Sequence, residues 1–511
     1  MCTPVFFRPE NAWVGDIIPW QSDGLFRLYY LHEVRREPKP GTPWHLVTTA
    51  DLVHFDDRGE ALAAGSVEAP DFNAYTGSIV RDEAGVHHLF YTGQNPKRLG
   101  ADGLPLQLVM HATSTDGMAT WQRHPDHAFG PPDCYETADW RDPYVFHDPA
   151  ADVWRMLIAA RHVAGPARRR GLIAQCISSD LVHWEPAEPF WDPRRYIAHE
   201  CPEVFQWGPW WYLVWSEFSE SFTTRYRMAP TLHGPWQVPE HDTIDGRAYY
   251  AAKSAERDGR RFFFGWIASR DGDHDDGAWQ WAGTMSVLEA RQNADGTLAL
   301  GLPAELVTSF DQPLSIGFDA IEQGASTPIA PGPILLDTPD SYQSVISRED
   351  LPATFCATLS FEVQPGTTEF GVLLRAGEDG DEGYVIRLEP KRRRMVFDRW
   401  PRRQHGDAQW EISGDVPFAV ELERPCVLDR GVHTLEIVVD HDLCVANLDR
   451  SVVLSTRIYR PPSGRFGLFA GEGTARIHTI EIRVRVDRPA LPPVSPIADI
   501  LYGPSPTRVR S

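Results

Sequence analysis

The sequence predicts an all-β protein, a five-bladed β-propeller followed by a β-sandwich. Three observations lead to this fold class. The 40 glycines and 43 prolines among 511 residues supply many turns. Short runs rich in Val, Ile and aromatic residues recur between Gly, Pro and Asp, and no stretch has the apolar spacing of a long amphipathic helix. The third observation is an internal repeat in the first 300 residues.

The repeat is visible in two independent elements. Aromatic-rich runs are spaced by 61, 67, 56 and 50 residues, with centres at Tyr29, Phe90, Leu157, Leu213 and Phe263. An aspartate-containing turn recurs after 65 and then 64 residues, at Asp51, Asp116 and Asp180. Repeated all-β units of this size are typical of propeller blades. A β-sandwich with coincidental spacing is the alternative, and it does not explain why both elements keep the period.

The repeat ends after Leu302 and Pro303, which sets the predicted domain boundaries. We assign residues 1–305 to the propeller and residues 306–335, rich in Pro, Gly and Thr, to a linker or crossover. Short alternating strands return over 336–487 and predict a β-sandwich. Residues 488–511 form a Pro-rich C-terminal tail.

Charge and composition exclude several classes of function. The formal net charge of -22 argues against nucleic acid and anionic membranes as partners. No apolar run approaches the roughly 20 residues of a membrane span. The first residues lack the pattern of a secretory signal, and the seven cysteines are scattered, odd in number and without a CxxC pair. We therefore expect a cytoplasmic enzyme with free thiols; assembly as a homo-oligomer is compatible with the sequence.

Three charged segments lack a clear chemical role. The basic runs 168–170 and 391–394 are interpreted as solvated loop and strand positions. The acidic segment 271–276 resembles a calcium loop, but Asp276 stands where a glycine is required and Ala282 stands where a glutamate is required. We interpret it as an exposed acidic loop near the channel rim, and we predict neither a metal nor a cofactor.

Polar residues just ahead of each aromatic strand are the candidates for chemistry. The innermost strand of a blade lines the channel, so residues at equivalent positions of successive blades converge on one axis. These residues are spaced by 62, 64, 58 and 49 positions and are Asp16, Ser78, Asp142, Glu200 and Tyr249. The fifth blade also offers Asp245 and Tyr250.

The three carboxylates Asp16, Asp142 and Glu200 indicate acid–base and nucleophilic chemistry. Carboxylates crowded in one pocket raise one another's pKa, so one can stay ionised while another keeps a proton. Glycoside cleavage uses that division, with one group attacking and one protonating the leaving oxygen. The alternative is that Asp16 and Asp142 cap turns and Glu200 pairs with an arginine. Three equivalent positions in three blades favour function.

Several motifs resemble those of glycoside hydrolase family 32, the invertase and fructanase family. They are Trp140-Arg141-Asp142-Pro143, Glu200-Cys201-Pro202, Tyr249-Tyr250-Ala251-Ala252-Lys253 and Trp281-Ala282-Gly283-Thr284-Met285-Ser286. The resemblance implies a retaining β-fructofuranosidase that acts on a small oligosaccharide. It implies a nucleophile at Asp16, a transition-state stabiliser at Asp142 and an acid/base at Glu200.

The resemblance also suggests residues that bind the sugar. Arg141 would orient charge beside Asp142, and Trp44 would form the aromatic wall of a furanose pocket. Ser78, Tyr249 and Trp266 are further candidates for sugar contact, and packing would explain each of them equally well.

The first motif departs from the family pattern. Family members usually flank the nucleophilic aspartate with asparagines and follow it with Pro-Asn-Gly, whereas this chain has Gly15, Ile17 and Ile18 around Asp16. Losing those amides should reduce discrimination for the hydroxyls that they bind. Three alternatives therefore stay open: a glycosidase or transglycosidase for a D-arabinofuranoside, fructose disaccharide or anhydride; an inverting arabinanase-like or xylosidase-like enzyme; and a non-catalytic carbohydrate-binding propeller.

Overall fold

The computed structural model describes residues 4–322, 325–400 and 422–485. Strands dominate these residues, and their only α-helix is α1 (Ala304–Thr308). Single 3₁₀ turns lie at Pro125–His127, Ala167–Arg169, Asp271–Asp273 and Pro390–Arg392. Within the described part of the chain, no helix is long and apolar enough to cross a membrane. The predicted tail, 488–511, lies outside the described residues.

Residues 13–301 form five successive groups of antiparallel strands. The first two groups are β1 (Trp13–Ser22), β2 (Leu25–Glu33), β3 (Trp44–Thr49) and β4 (Asp56–Leu62), then β5 (Asn73–Arg81), β6 (His87–Leu99), β7 (Pro105–Ser114) and β8 (Gln122–Arg123). The third is β9 (Tyr135–Asp148), β10 (Val153–His162), β11 (Gly171–Ser178) and β12 (Glu185–Trp191). The last two are β13 (Glu200–Trp207), β14 (Trp210–Glu217) and β15 (Thr223–Ala229), then β16 (Tyr249–Arg257), β17 (Arg260–Arg270), β18 (Trp279–Gln292) and β19 (Leu298–Gly301).

The last group closes onto the first. Strand β18 pairs with β1 at Gly283 and Val14, so these two groups share one eight-stranded sheet. The pairing joins the two ends of the repeat, as a closed propeller requires. Separate apolar clusters of buried side chains hold neighbouring groups together; one of them packs Tyr29 and Trp44 of the first group against Leu89 and Tyr91 of the second. The number of blades stays a prediction, which the five groups match.

The second half of the chain is one extensive antiparallel sheet system. Its strands are β20 (Gln312–Leu314), β21 (Phe318–Glu322), β22 (Ala325–Pro328), β23 (Ile334–Leu351), β24 (Thr354–Val363), β25 (Glu369–Ala376), β26 (Gly383–Glu389), β27 (Arg394–Trp400), β28 (Leu422–Pro425), β29 (His433–Asp440), β30 (Leu443–Leu448), β31 (Val452–Arg457) and β32 (Gly464–Val484). The long strand β32 pairs with β20, β23, β24 and β25. Residues 466–471 of this strand are all buried, and from Ala475 onward burial alternates, with Ala475, Ile477 and Ile482 facing the core, as in a sandwich.

The segment expected to be a linker differs from that expectation. Strand β20 pairs with β32, β21 pairs with β23, and β22 pairs with β21, so residues 312–328 largely belong to the second sheet system. The strands are short and partly built from Pro, Ser and Thr, which is why the composition suggested a connection. Pairing with a neighbouring strand, which is a tertiary contact, decides their conformation.

The two halves are fastened together by buried polar groups. Arg457 is fully enclosed and donates to the carbonyls of Ile267 and Ala268 at 2.8 and 3.0 Å, and it also donates to Asp442 at 2.7 Å. Asp245 accepts from the hydroxyl of Ser455 at 2.6 Å. These bonds dock the sandwich on the fifth strand group and lie outside the cavity described below.

Candidate active site

A β-bulge in the first strand of every group positions the polar side chains. Register shifts fall between Val14 and Ile17 in β1, between Tyr75 and Gly77 in β5, and between Glu200 and Glu203 in β13. The β9–β10 and β16–β17 pairs shift at equivalent places. A bulge leaves one residue outside the ladder and re-aims its side chain. The repeated bulges thus turn residues from successive groups toward one point.

The three predicted carboxylates line one cavity. Asp16, Asp142 and Glu200 all contribute to a cavity with a volume of about 850 Å³. Asp16 and Asp142 are buried, at 9% and 4% exposure, and the Glu200 side chain is 21% exposed. Asp142 has φ 59° and the neighbouring Cys201 has φ 50°, a left-handed conformation that costs energy for residues other than glycine.

Asp16 lies in the cavity wall and has two side-chain neighbours, Trp266 and Cys201. Its Oδ1 accepts a hydrogen bond from Trp266 Nε1 at 3.0 Å, and its Oδ2 lies 3.7 Å from Cys201 Sγ. Burial, followed by the charge of Asp142, raises the pKa of Asp16 to about 7. The carboxylate is therefore weakly solvated and accepts few hydrogen bonds, as a nucleophile requires.

Asp142 makes two hydrogen bonds to other strands, one through its side chain and one through its backbone. Its Oδ2 accepts the backbone N–H of Cys201 at 2.9 Å, and its own N–H donates to Thr92 Oγ1 at 2.7 Å. Burial raises the pKa of Asp142 to about 6, against the opposing charge of Arg141. The hydrogen bond to Oδ2 leaves the other carboxylate oxygen of Asp142 for a ligand.

Glu200 is the carboxylate with two strong donors. Arg141 Nη2 lies 3.1 Å from its Oε1, and the Tyr250 hydroxyl donates to its Oε2 at 2.6 Å. Burial and the adjacent Glu200 carboxylate raise the pKa of Tyr250 well above its usual value, so the phenol keeps its proton. Glu200 is thus oriented by two groups and stays open to the cavity, an arrangement that suits proton transfer to a bound molecule.

Comparison with known proteins identifies the family. Residues 6–296 match the model of the glycosyl hydrolases family 32 N-terminal domain, and residues 337–484 match the model of the family 32 C-terminal domain. The chain belongs to glycosyl hydrolase family 32. The predicted family is therefore confirmed, and with it the assignment as a glycoside hydrolase.

Two curated relatives are similar in sequence to this family 32 chain. Sucrose-6-phosphate hydrolase of Escherichia coli is 27% identical over 308 residues, which span 57% of this chain and 62% of that relative. Levanbiose-producing levanase of Bacillus subtilis is 24% identical over 517 residues, which span 93% of this chain and 89% of the levanase.

Solved structures agree in fold. A family 32 β-fructofuranosidase of Bombyx mori superposes with TM-score 0.67 at 17% identity and covers 94% of both chains. Exo-inulinase of Aspergillus awamori superposes with TM-score 0.69 at 17% identity, covering 95% of this chain and 99% of the inulinase. The all-β class of propeller followed by sandwich is confirmed.

Three predicted sugar-binding residues lie outside the cavity of this family 32 protein. Trp44 is fully buried and donates from Nε1 to the Ala74 and Tyr75 carbonyls, both at 3.1 Å. The Ser78 hydroxyl donates to the Pro143 carbonyl at 2.9 Å and so connects β5 to β9. The Tyr249 hydroxyl donates to the Phe263 carbonyl at 3.1 Å. All three join strands and are absent from the cavity wall; that they bind sugar stays a prediction.

Two other predicted sugar-binding residues, Trp266 and Arg141, contact the carboxylates of the cavity. Trp266 lies behind the cavity wall and reaches it through the bond from its Nε1 to Asp16. Arg141 is part of the wall and contacts Glu200. Of the three residues offered by the fifth strand group, the wall includes only Tyr250. Adjacent residues of a strand face opposite sides, so the sequence could not distinguish Tyr249 from Tyr250.

Trp281 is a cavity residue that the sequence left unassigned. A Cβ atom added to Gly15 would lie 2.5 Å from Cη2 of the Trp281 indole, so the glycine makes room for this ring beside Asp16. The indole also meets Trp266 edge-on, with centroids 6.1 Å apart, and it is 37% exposed. The departure at Gly15 therefore has a structural cause, because the ring occupies the space that a larger side chain would need.

Cys201 touches both buried aspartates through its thiol and its backbone N–H. Burial, and then the charges of Asp16 and Asp142, raise the pKa of the Cys201 thiol well above its usual range. The sulfur stays protonated and is a packing residue rather than a nucleophile.

The acidic segment 271–276 is a contact between the two halves of the chain. Asp275 accepts from the Tyr384 hydroxyl at 2.6 Å and from the backbone N–H of Tyr459 at 3.1 Å, and Asp276 pairs with Arg399. The part of the segment nearest the sandwich is therefore less exposed than we expected. Among the described residues, no group of three or more His, Cys, Asp or Glu side chains could hold a metal ion.

Proposed function

We propose that this chain is a retaining β-fructofuranosidase that cleaves short oligosaccharides through a glycosyl–Asp16 intermediate. The observation that carries the proposal is the set of three carboxylates in one cavity, each with a different group of partners. Family membership supplies the reaction class. The names of the relatives, sucrose-6-phosphate hydrolase and levanase, support fructosyl linkages as the substrate.

Each carboxylate has one role in the proposed reaction. Asp16 attacks the anomeric carbon while Glu200 gives its proton to the leaving glycosidic oxygen. Glu200 then takes a proton from water, which displaces Asp16 and releases the sugar with its original anomeric configuration. Asp142 accepts hydrogen bonds from sugar hydroxyls through its free oxygen, since its other oxygen is bound to the Cys201 N–H.

The aromatic wall supplies the contact that the first motif lacks. Trp281 can stack on the apolar face of a furanose beside Asp16, in the place where family members carry an amide. Stacking selects ring shape rather than the pattern of hydroxyl groups. We therefore propose broader tolerance for the hydroxyls of the bound furanose than the family motif would allow.

The charge of the wall favours an uncharged sugar. Five acidic residues and three basic residues line the cavity, namely Asp16, Glu33, Asp139, Asp142 and Glu200, with Arg35, Lys39 and Arg141. The excess of carboxylates repels a phosphorylated sugar. We propose sucrose and short fructans, rather than their phosphate esters, as substrates.

We propose that the enzyme works in the cytoplasm. Six cysteines of the described chain are free, and five of them are buried. Free thiols on this scale are typical of a reducing compartment. Short oligosaccharides are also the substrates that reach such a compartment more readily than polymers.

The test is a substrate panel followed by analysis of the first product. Sucrose, sucrose 6-phosphate, short fructans and p-nitrophenyl furanosides are incubated with wild-type enzyme and with Asp16→Asn and Glu200→Gln variants. Asp148→Asn serves as the control, since Asp148 is a buried carboxylate outside the cavity. We expect the control to cleave sucrose and both site variants to lose at least about 10³-fold in kcat.

The stereochemistry of the first product distinguishes the alternatives. Proton NMR during the first minutes should show the retained anomer before it mutarotates. An inverted first product would replace the covalent mechanism with a water-activating Asp16. Cleavage of an arabinofuranoside without cleavage of sucrose would change the substrate class. If the wild type cleaves no glycoside, the remaining hypothesis is a carbohydrate-binding protein without catalytic activity.

A further inference from the structure

An alternating series of charged side chains runs from Glu200 to the outer part of the third strand group. We name it the arginine–carboxylate relay; in order, it comprises Glu200, Arg141, Asp139, Arg161, Glu136 and Arg170. All six side chains are between 13% and 21% exposed, so solvent screens their interactions only partly. The proposed function treats Asp139 only as one charge of the cavity wall and gives Arg161, Glu136 and Arg170 no role.

The contacts of the relay are continuous. Arg141 reaches Glu200 at 3.1 Å with Nη2 and Asp139 Oδ1 at 2.5 Å with Nη1. Arg161 Nη1 lies 3.2 Å from Asp139 Oδ2 and 3.0 Å from Glu136 Oε2. The last link joins Arg170 Nη1 to Glu136 Oε1 at 2.5 Å.

Local structure explains how these residues meet. Glu136, Asp139 and Arg141 belong to β9, and Arg161 belongs to the neighbouring β10. Arg170 is the last member of the basic run 168–170, which the sequence suggested was solvated; its guanidinium also donates to the Val163 carbonyl at 3.2 Å. One arginine of that run is therefore an anchor of the relay.

Asp139 acts through Arg141 rather than directly. Both of its carboxylate oxygens are already bound to arginines, one to Arg141 and one to Arg161. With Nη1 of Arg141 taken by Asp139, the planar guanidinium presents Nη2 to Glu200. Arg141 interacts electrostatically with Glu200, Asp139 and Asp142, and the second oxygen of Asp139 is paired with Arg161.

We infer that Asp139 and Arg161 are positioning residues that set how readily Glu200 releases its proton. The inference rests on the proposed role of Glu200 as the acid/base. Replacing Asp139 by asparagine removes one of the three carboxylates that interact with Arg141, which leaves more of its charge to Glu200 and stabilises the carboxylate form of Glu200. Replacing Arg161 by methionine strengthens the pull of Asp139 on Arg141, which favours the protonated form of Glu200.

The other groups around Glu200 stay the same in both variants. Tyr250 of β16 donates to Glu200, and further charged or titratable groups of the site surround them from β1, β9, β13 and β16. These further groups are Asp16, Asp142, Cys201 and Lys253. A difference between the variants therefore reports the relay.

The first experiment measures kcat/KM against pH for the wild type, Asp139→Asn and Arg161→Met. The basic limb of the profile reports loss of the proton from the acid/base. We expect this limb to move by about 0.5–1 pH unit to lower pH in Asp139→Asn and by a similar amount to higher pH in Arg161→Met. Asp139→Glu and Arg161→Lys keep the charges and should return the limb most of the way to the wild-type position.

Glu33→Gln is the matched control for removal of charge. Glu33 is another carboxylate of the cavity wall, paired with Lys39 at 2.9 Å and outside the relay. We expect its basic limb to stay within about 0.2 pH unit of wild type, because Glu33 does not share Arg141. An equal shift in Glu33→Gln and Asp139→Asn would mean that any lost charge acts alike, and the inference would be overturned.

A second readout does not depend on activity. Protein labelled with ¹³C at the glutamate carboxyl carbon is titrated by NMR, and the Glu200 signal is assigned by its absence in Glu200→Gln. Its midpoint should move in the same opposite directions in the two variants. If wild type cleaves no glycoside, the proposed function fails, yet this titration still tests the relay. Midpoints that move together, or not at all, refute the relay.

Discussion

Replacing Asp16 by asparagine should make the protein more stable while abolishing its catalysis. The pKa of Asp16 rises to about 7 in the folded chain because burial, and then the charge of Asp142, disfavour the ionised form. Unfolding returns the group to its ordinary value of 3.8. Between these two values the folded state binds the proton and the unfolded state does not, so stability falls as pH rises from about 4 to about 7. Asparagine has no charge to bury, and its amide oxygen can still accept from Trp266.

The magnitude follows from the two pKa values. Above pH 7 the difference between about 7 and 3.8 costs the wild type about 4 kcal/mol, at about 1.4 kcal/mol for each unit. At pH 5 only the interval from 3.8 to 5 counts, which is about 1.6 kcal/mol. The advantage of Asp16→Asn should therefore grow by about 2–3 kcal/mol between pH 5 and pH 8.

Urea unfolding followed by tryptophan fluorescence measures this advantage. Sixteen of the 18 tryptophans lie before residue 305, so the signal reports the domain that holds Asp16. Asp148→Asn is the control with the opposite sign. Asp148 is also buried, but the hydrogen bond from Arg155 at 2.7 Å, the charge of Arg155 and backbone N–H groups together outweigh burial and lower the pKa of Asp148, so its loss should destabilise the protein at pH 8. An Asp16→Asn advantage that is equal at pH 5 and pH 8 would refute burial of charge as its source.

Four further outcomes are expected. Because the raised pKa of Asp16 holds it protonated in acid, kcat/KM should fall about tenfold per pH unit below pH 7; a profile that stays flat down to pH 5 would exclude Asp16 as the titrating nucleophile. Tyr250→Phe removes a donor to the acid/base and should lower kcat about 10-fold or more with little change in KM, as steady-state kinetics would show. Gly15→Ala should displace the Trp281 ring and raise KM for every substrate, whereas a Trp281→Phe variant with normal KM would contradict the stacking role. Arg457→Met leaves buried carbonyls unpaired and should lower the free energy of unfolding by about 3 kcal/mol or more, with both halves of the chain less stable in calorimetry.

The architecture and the meeting of three carboxylates in one cavity could be predicted from signals within the sequence. Aromatic runs repeating every 50–67 residues predict repeated β units, since each unit needs its own apolar strand whatever its neighbours do. Asp142 and Glu200 sit in short motifs, and the structure adds the left-handed conformations of Asp142 and Cys201. Asp16 was found from the spacing alone, although its flanking residues depart from the family.

The sugar-contact residues could not be predicted as well. A bulge shifts the alternation of a strand by one residue, so Tyr250 faces the cavity and Tyr249 faces the core. Trp44 has an Nε1–H group that could donate to a sugar hydroxyl, but in the structure this group donates to two backbone carbonyls instead. Neither outcome follows from residue type or spacing.

The sequence by itself determined the fold class, the family and the identities of Asp16, Asp142 and Glu200. Only the tertiary structure decided what surrounds them: the Tyr250 hydroxyl on Glu200, the Trp281 ring over Gly15, and the relay behind Arg141. The physical reason is how far apart in the chain the interacting residues lie. Apolar repeats and short motifs lie within the sequence, whereas strand pairing, bulges and the environment of a charge depend on residues that are distant in the chain and meet only when the first and last strand groups close on each other.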